Sequence, residues 1–315
     1  MKTLNISLCN FSISLCLIFL LFQSCIREDE VDFISLNQES KLIVYGILNP
    51  ASDSIKVMVT RTYPVDADYG IGPDDIYVDA EVFIVRSEST DTVQLEQLSV
   101  NGTVYGCELS ELSINPGEKY CLLVKAEGFN SVMASTTVPE IAVEWNETKL
   151  IESKVDMDGY FIDGFSFYGT WQKSNTENDQ VVSFHIKVSR DNDNGNIETR
   201  TYTSGIYLNF SETDHSFIFE SPPFHIYKPD EFEPEDSYRW YMEEINAILT
   251  TTDIHLYDYI SYFMLIEDIN NVMDGGSFLD LFRGITPEFS NVEGGLGVFG
   301  SCMTDTAVVY RLRKK

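Results

Sequence analysis

Between Leu42 and Pro139 apolar and polar residues alternate with a period of two, in short runs separated by turn residues. Ile55, Val57 and Val59 point one way and Lys56, Met58 and Thr60 the other, as in a strand with one face buried. Runs of this kind begin at Leu42, Ser54, Ala80, Asp91, Thr103, Lys119 and Ser131, with Pro, Gly, Asn and Asp between them. Strands spaced about ten residues apart have the cadence of a β-sandwich. The pattern therefore predicts an immunoglobulin- or transthyretin-like sandwich over 41–139.

The second half, 140–315, continues with longer runs: AVEWNETKLIE, FIDGFSFYGTWQK, VVSFHIKVSRD and IETRTYTSGIYLNF. Asn194-Gly195 between the last two predicts a hairpin. Residues 252–270 break the period, because Leu256, Tyr259, Phe263, Ile266 and Ile269 recur at three- and four-residue steps behind Thr252, an N-cap residue type. A helix packed on a second sheet is expected there, followed by a glycine-rich segment and a last strand, TAVVYRLR. The fold class is thus mostly β: a sandwich, then a second β-sheet domain carrying one helix.

The N-terminus is organised differently. Lys2 is followed by an apolar stretch from Phe11 to Phe22, which ends at Gln23-Ser24-Cys25. At about a dozen residues this stretch is too short to cross a bilayer as a helix, which takes roughly 20, and it reads as the core of a secretory signal over 1–24. The Leu21-Phe22-Gln23-Ser24-Cys25 run resembles a bacterial lipobox, which makes Cys25 the expected lipidation site. Arg27, Glu28, Asp29 and Glu30 follow and resemble the acid-rich export tag of surface-displayed lipoproteins. Residues 25–40 are polar and aperiodic and are expected to act as a flexible tether.

The chain carries a formal charge of −29, and the leader contributes Lys2 and no acid. Such a surface repels nucleic acid and anionic headgroups, so no nucleic-acid partner is expected, and attachment to a membrane has to come from acyl chains on Cys25. At 43% hydrophobic residues the chain is too apolar to be a disordered acidic polymer.

Chemistry is sparse in the sequence. Cys107 and Cys121 lie symmetrically about Ile114, on two runs joined through Asn115-Pro116-Gly117. A simple hairpin would oppose them within disulfide reach, and free thiols are the other reading. Gly294, Gly295, Gly297, Phe299 and Gly300 form a structural glycine motif. It matches G-x-G-x-x-G, yet a polar loop precedes it and a β-like run follows, so glycines that let the backbone bend where the last strand meets the helix are expected rather than a dinucleotide site. His185, His215, His225 and His255 are scattered, with no metal-ligand spacing. Three acid–glycine loops, Asp66/Asp68, Asp156/Asp158 and Asp191/Asp193, lack a complete calcium-binding pattern and read as turns. No catalytic residue, metal or cofactor is expected.

Four segments carry a family resemblance: LIVYGILNPASDSIKVMVTRTYPV, AEVFIV, INPGEKYCLLVKAEGFNSVMASTTVPE, and PEFSNVEGGLGVFGS at Pro287–Ser301. Through them the chain resembles the domain-of-unknown-function 4249 family of Bacteroidota surface lipoproteins over nearly all of the sequence after Cys25. It departs from the family at Gly169-Thr170-Trp171-Gln172 and Val181-Val182-Ser183-Phe184. The resemblance implies a lipid-anchored outer-membrane protein facing the cell exterior, associated with a TonB-dependent transporter. The function expected is therefore a non-catalytic accessory or ligand-capture partner of that transporter. A structural or adhesive surface protein and an unrecognised hydrolase are the alternatives.

Overall fold

The computed structural model describes residues 40–63, 77–87, 92–98, 103–173, 179–191, 197–227, 240–262 and 290–312. The expected leader, Cys25, the Arg27–Glu30 run, Asp66 and Asp68, Asp193 with the expected Asn194-Gly195 turn, and the part of the expected helix beyond Tyr262 lie outside the described residues.

The first half forms seven strands: β1 (Leu42–Leu48), β2 (Ser54–Arg61), β3 (Ala80–Arg86), β4 (Thr92–Gln97), β5 (Val104–Glu108), β6 (Lys119–Ala126) and β7 (Val132–Thr137). All but β5, which is buried at three successive residues, show the period of two in their burial. In β2, Ile55, Val57 and Val59 are buried while Lys56 and Met58 are exposed. β1, β2 and β5 pair in succession, and β4, β3, β6 and β7 continue the same sheet. Only Glu96↔Gly106 and Gln97↔Tyr105 join β4 to β5, so the sheet turns back on itself there. Val44, Val57 and Tyr105 from one layer then share a core with Val82, Tyr120 and Leu122 from the other.

The second half contains β8 (Trp145–Met157), β9 (Tyr160–Gln172), β10 (Asp179–Asp191), β11 (Ile197–Tyr207), β12 (Ser211–Glu212), β13 (Ser216–Glu220), β14 (Tyr241–Thr252) and β15 (Leu296–Arg311). A four-stranded sheet in the order β12-β13-β9-β8 supplies Phe167, Trp171 and Phe219 to a second core. The facing layer supplies Val182 and Phe184 from β10 and Ile245, Ala247 and Leu249 from β14.

β15 joins the two halves. The large sheet runs β11-β10-β14-β15-β1-β2-β5-β4-β3-β6-β7, with β15 parallel to β1 and antiparallel to β14. Each half keeps a core of its own while sharing that strand, and all described residues fall in one compact unit.

Three expectations are corrected. The last strand begins at Leu296, ten residues before Thr306, so its glycines lie within the ladder and not between strand and helix. Its first part is buried on both faces, which erases the alternation that would reveal it. The helix, α1 (254–262 among the described residues), is capped by Asp253 and not Thr252. Asp253 Oδ1 accepts the Leu256 N–H at 2.9 Å, whereas Thr252 is still paired with Cys302 in the β14–β15 ladder. Finally, Cys107 and Cys121 do not oppose one another. β5 pairs with β2 and β4, β6 pairs with β3 and β7, and both thiols are free. The chain between them, which includes buried Leu112 and Ile114, crosses from one layer of the sandwich to the other instead of making a tight turn.

Candidate functional site

The glycine motif, α1 and the end of β7 meet at one buried junction. Residues 291–293 run along the edge of β7, where Glu293 and Met133 exchange both backbone hydrogen bonds. Gly294 and Gly295 then turn the chain into β15. Asn291 fixes that turn: its Oδ1 accepts the Phe299 N–H at 2.9 Å, and its Nδ2 donates to the Phe299 carbonyl at 2.8 Å and to the Ser135 carbonyl at 3.2 Å. One side chain thus stands in for a strand partner, holding Phe299 with its ring fully buried in the first core.

Two of the glycines are required by close approach. Gly297 has φ of 114°, and a Cβ there would sit 1.9 Å from the Val44 carbonyl oxygen of β1. Gly300 lies beneath the first turn of α1, where a Cβ would meet that of Leu256 at 2.7 Å. Any larger residue at either position forces β15 away from β1 or from the helix.

A polar knot lies beside them. Asp253 and Ser301 exchange backbone-centred bonds: Asp253 N–H donates to the Ser301 carbonyl at 2.9 Å, and Asp253 Oδ1 accepts the Ser301 N–H at 3.2 Å. Thr136 of β7 donates to Asp253 Oδ2 and lies 2.7 Å from Ser301 Oγ, which itself donates to the Thr137 carbonyl at 2.9 Å. All three side chains are buried. Next to them, burial pushes the Cys302 thiol up to about 12, and the Asp253 carboxylate adds to the shift. Burial, with Tyr259 and Cys302 beside it, likewise holds the Tyr45 phenol well above its usual value. At neutral pH these are a thiol and a phenol, not nucleophiles. The junction is built to hold strands together.

The other singled-out residues are dispersed. His185 lies on β10, His215 between β12 and β13, His225 after β13 and His255 on α1. Asp156 Oδ1 accepts the Gly159 N–H at 2.7 Å, the hydrogen bond of a plain turn. Among the described residues no three His, Cys, Asp or Glu side chains are grouped to hold a metal ion. A shallow open depression of about 270 Å³ is lined by Asp79, Ala80, Glu81, Lys125, Ala126 and Glu127. Its lining offers two strand ends and no converging reactive groups.

Asn291 and Gly297 stand inside the Ser-Asn-x-x-x-Gly-x-Gly-x-Phe-Gly run, so the motif's chemistry is visible in the sequence although its partners are not. Thr136, Asp253 and Ser301 carried no such signal. They are separated by more than a hundred residues between β7 and α1, and ordinary Thr, Asp and Ser become a network only once the strands assemble.

A family model for a domain of unknown function, DUF4249, matches residues 28–307. The chain belongs to this family. No curated protein matches it. One solved structure that matches is that of the chicken interferon gamma receptor alpha chain, 10% identical over 68% of this chain and 88% of that one, with a TM-score of 0.19. A similarity of that size supports no inference. The DUF4249 match spans the strands of both cores and ends within β15, so the family model takes in the junction.

Proposed function

We propose that this DUF4249 protein is a lipoprotein of an outer membrane, displayed on the cell exterior, where it serves without catalysis as an accessory or ligand-capture partner of a TonB-dependent transporter. The observation that carries the reading is the placement of Cys25 at the end of the apolar leader, with Arg27-Glu28-Asp29-Glu30 behind it. A net charge of −29 supports it, since an acidic body has no electrostatic hold on an anionic surface and depends on a covalent anchor. The transporter enters through the family resemblance.

Cys25→Ala is expected to abolish incorporation of a labelled fatty acid and leave unprocessed precursor; normal acylation of the variant would remove the premise. Replacing Arg27 through Glu30 by alanine is expected to protect the protein from protease added to intact cells. For the partner, native purification from outer membranes should retain a TonB-dependent transporter. Recovery of the acylated protein alone, under conditions that preserve other membrane complexes, would refute that part.

A further inference from the structure

β8 is the outer strand of the four-stranded sheet, and it is unusual among the sheet edges. The β7 edge of the large sheet is bridged by Glu293. The β11 edge is interrupted by a register shift at Ser183/Phe184 and by Gly205 at φ of 67°, and β12 has two residues. Bulges and short strands are how natural sheets blunt their edges. β8 has one register shift, at Trp145/Glu147, and charged residues along its length, but from Glu147 to Met157 it pairs regularly with β9, and beyond Trp145, whose N–H is bonded to Asp305, it has no outer partner among the described residues. The hairpin closes on Asp158-Gly159, with φ of 53° and 91°, a two-residue turn that fixes the register of both strands.

The far half of this hairpin is apolar on its surface. Ile151 is 37% exposed, Met157 46%, Tyr160 79% and Phe161 69%. Val155 stands opposite Ile162, and Met157 opposite Tyr160, so Ile151, Val155, Met157, Tyr160 and Ile162 share one face. A two-stranded hairpin of this kind is marginal in water on its own.

We infer that β8 pairs antiparallel with β8 of a second copy of this chain, about a two-fold axis through Ser153. The sequence of the edge selects both occupant and register. With the axis perpendicular to the sheet at Ser153, Glu152 of each copy faces Lys154 of the other, and Ile151 faces Val155. Two opposite-charge contacts thus form on one face and two apolar contacts on the other, and the apolar face becomes a continuous band across four strands. Moving the axis to Glu152 or Lys154 sets like charges directly against each other. The Ser153 register also sets Leu150 against Asp156; moving the axis to Ile151 sets Leu150 against Glu152 as well and leaves Lys154 facing Thr148, and moving it to Val155 pairs Lys154 with Asp156 but opposes Glu152 with Asp158. The self-pairing is independent of the proposed transporter partnership.

The test is the association state of the full chain purified in detergent, measured by sedimentation. The wild type is a dimer. Glu152→Lys weakens it roughly tenfold, because two attractive contacts become repulsive, and Glu152→Lys with Lys154→Glu recovers most of that loss, although it gives up the Lys154–Asp163 pair within each hairpin. Lys154→Glu alone also opposes Asp163, its partner within the hairpin, so Glu152→Lys is the cleaner single change. Ser153→Cys, on the axis, forms a disulfide-linked dimer under mild oxidation faster than Glu147→Cys, which is far from its own copy. A wild type that stays monomeric, a dimer indifferent to the charge reversals, or Ser153→Cys that cross-links no faster than Glu147→Cys overturns the inference. Unchanged far-UV circular dichroism of Glu152→Lys separates lost pairing from lost fold.

Discussion

The two cores are filled by different means. The first is aliphatic, with Val44, Val57, Val59, Val82, Ile84, Leu122 and Val124 stacked between short strands in which every second residue points inward. The second is aromatic: Trp145 packs edge-on against Phe167 and Trp171 with ring centroids 5.4 Å apart, and Phe210 meets Trp171 at 4.7 Å. Edge-to-face stacks of this kind need room and a definite approach angle. The strands of the second half lose register at Trp145/Glu147, beside that stack, and again at Ser183/Phe184, Lys187/Val188 and Ile245/Asn246. Small side chains let a sheet stay regular; large rings go with bulges. β15 has to satisfy both, passing Phe299 to the aliphatic core and Val309 and Tyr310 to the aromatic one.

The comparison breaks first at that shared strand. Gly297→Val places a side chain into the Val44 carbonyl at a φ that L-residues rarely adopt. A loss on the order of 4–5 kcal/mol, or failure to fold, is expected, and it should appear in both halves at once by circular dichroism. A variant melting like the wild type would show that β1 and β15 can separate without consequence.

Truncating each core separately comes next. Trp171→Ala should cost about 3–5 kcal/mol and Leu122→Ala about 2–5 kcal/mol. Near-UV circular dichroism, dominated by Trp145, Trp171 and Trp240, follows the aromatic half, and far-UV follows both. Because β15 couples the cores, either variant is expected to shift a single common transition. Two resolved transitions would mean that the halves are independent domains that merely share a sheet.

The same contrast explains what could be read from the sequence. Six of the seven strands of the first half keep period two because one face of each is wet, and β5, buried at three successive residues, is legible from the turn residues before it. β14 (YMEEINAILTTT) is not: it sits between β10 and β15 and its second half is almost wholly buried, so no alternation marks it. The helix start is misread by one residue because Thr and Asp are both good caps, and the ladder rather than propensity decides which is free to act. At the junction, Gly297 and Phe299 are visible as a motif, whereas the contact of Thr136 with Asp253 is a long-range event with no local trace.

That contact yields a smaller prediction. Asp253→Ala removes the α1 cap, leaves the buried Ser301 N–H without its acceptor and leaves the Thr136 hydroxyl with Ser301 Oγ alone. Cap loss costs about 1 kcal/mol and an unsatisfied buried group about 1–3 kcal/mol. The variant should lower the melting temperature less than Gly297→Val and still unfold in one step, as measured by calorimetry. A loss no larger than that of an exposed cap would show that Asp253 serves the helix alone and does not tie β7 to β15.

The smallest expected effect belongs to Asp179, where β10 begins in the aromatic half. Its carboxyl is raised above the usual 3.8, first by burial and then by the nearby Asp258 carboxylate of α1. A carboxyl whose folded pKa lies above its unfolded one favours folding fully below the unfolded pKa, and that contribution is lost as pH rises through the folded value. At neutral pH the ionised group is therefore a modest burden, which Asp179→Asn removes. The variant should be slightly more stable than wild type at pH 7, and the difference should vanish below about pH 3.8, the unfolded value. Asp258→Asn should give part of the same gain, and the double variant less than the sum, because the pair repels itself only once. Chemical denaturation at the two pH values decides it. An Asp179→Asn protein less stable at pH 7 would mean that the carboxylate is held by a favourable contact at the β10–α1 boundary, one that outweighs burial and Asp258 together.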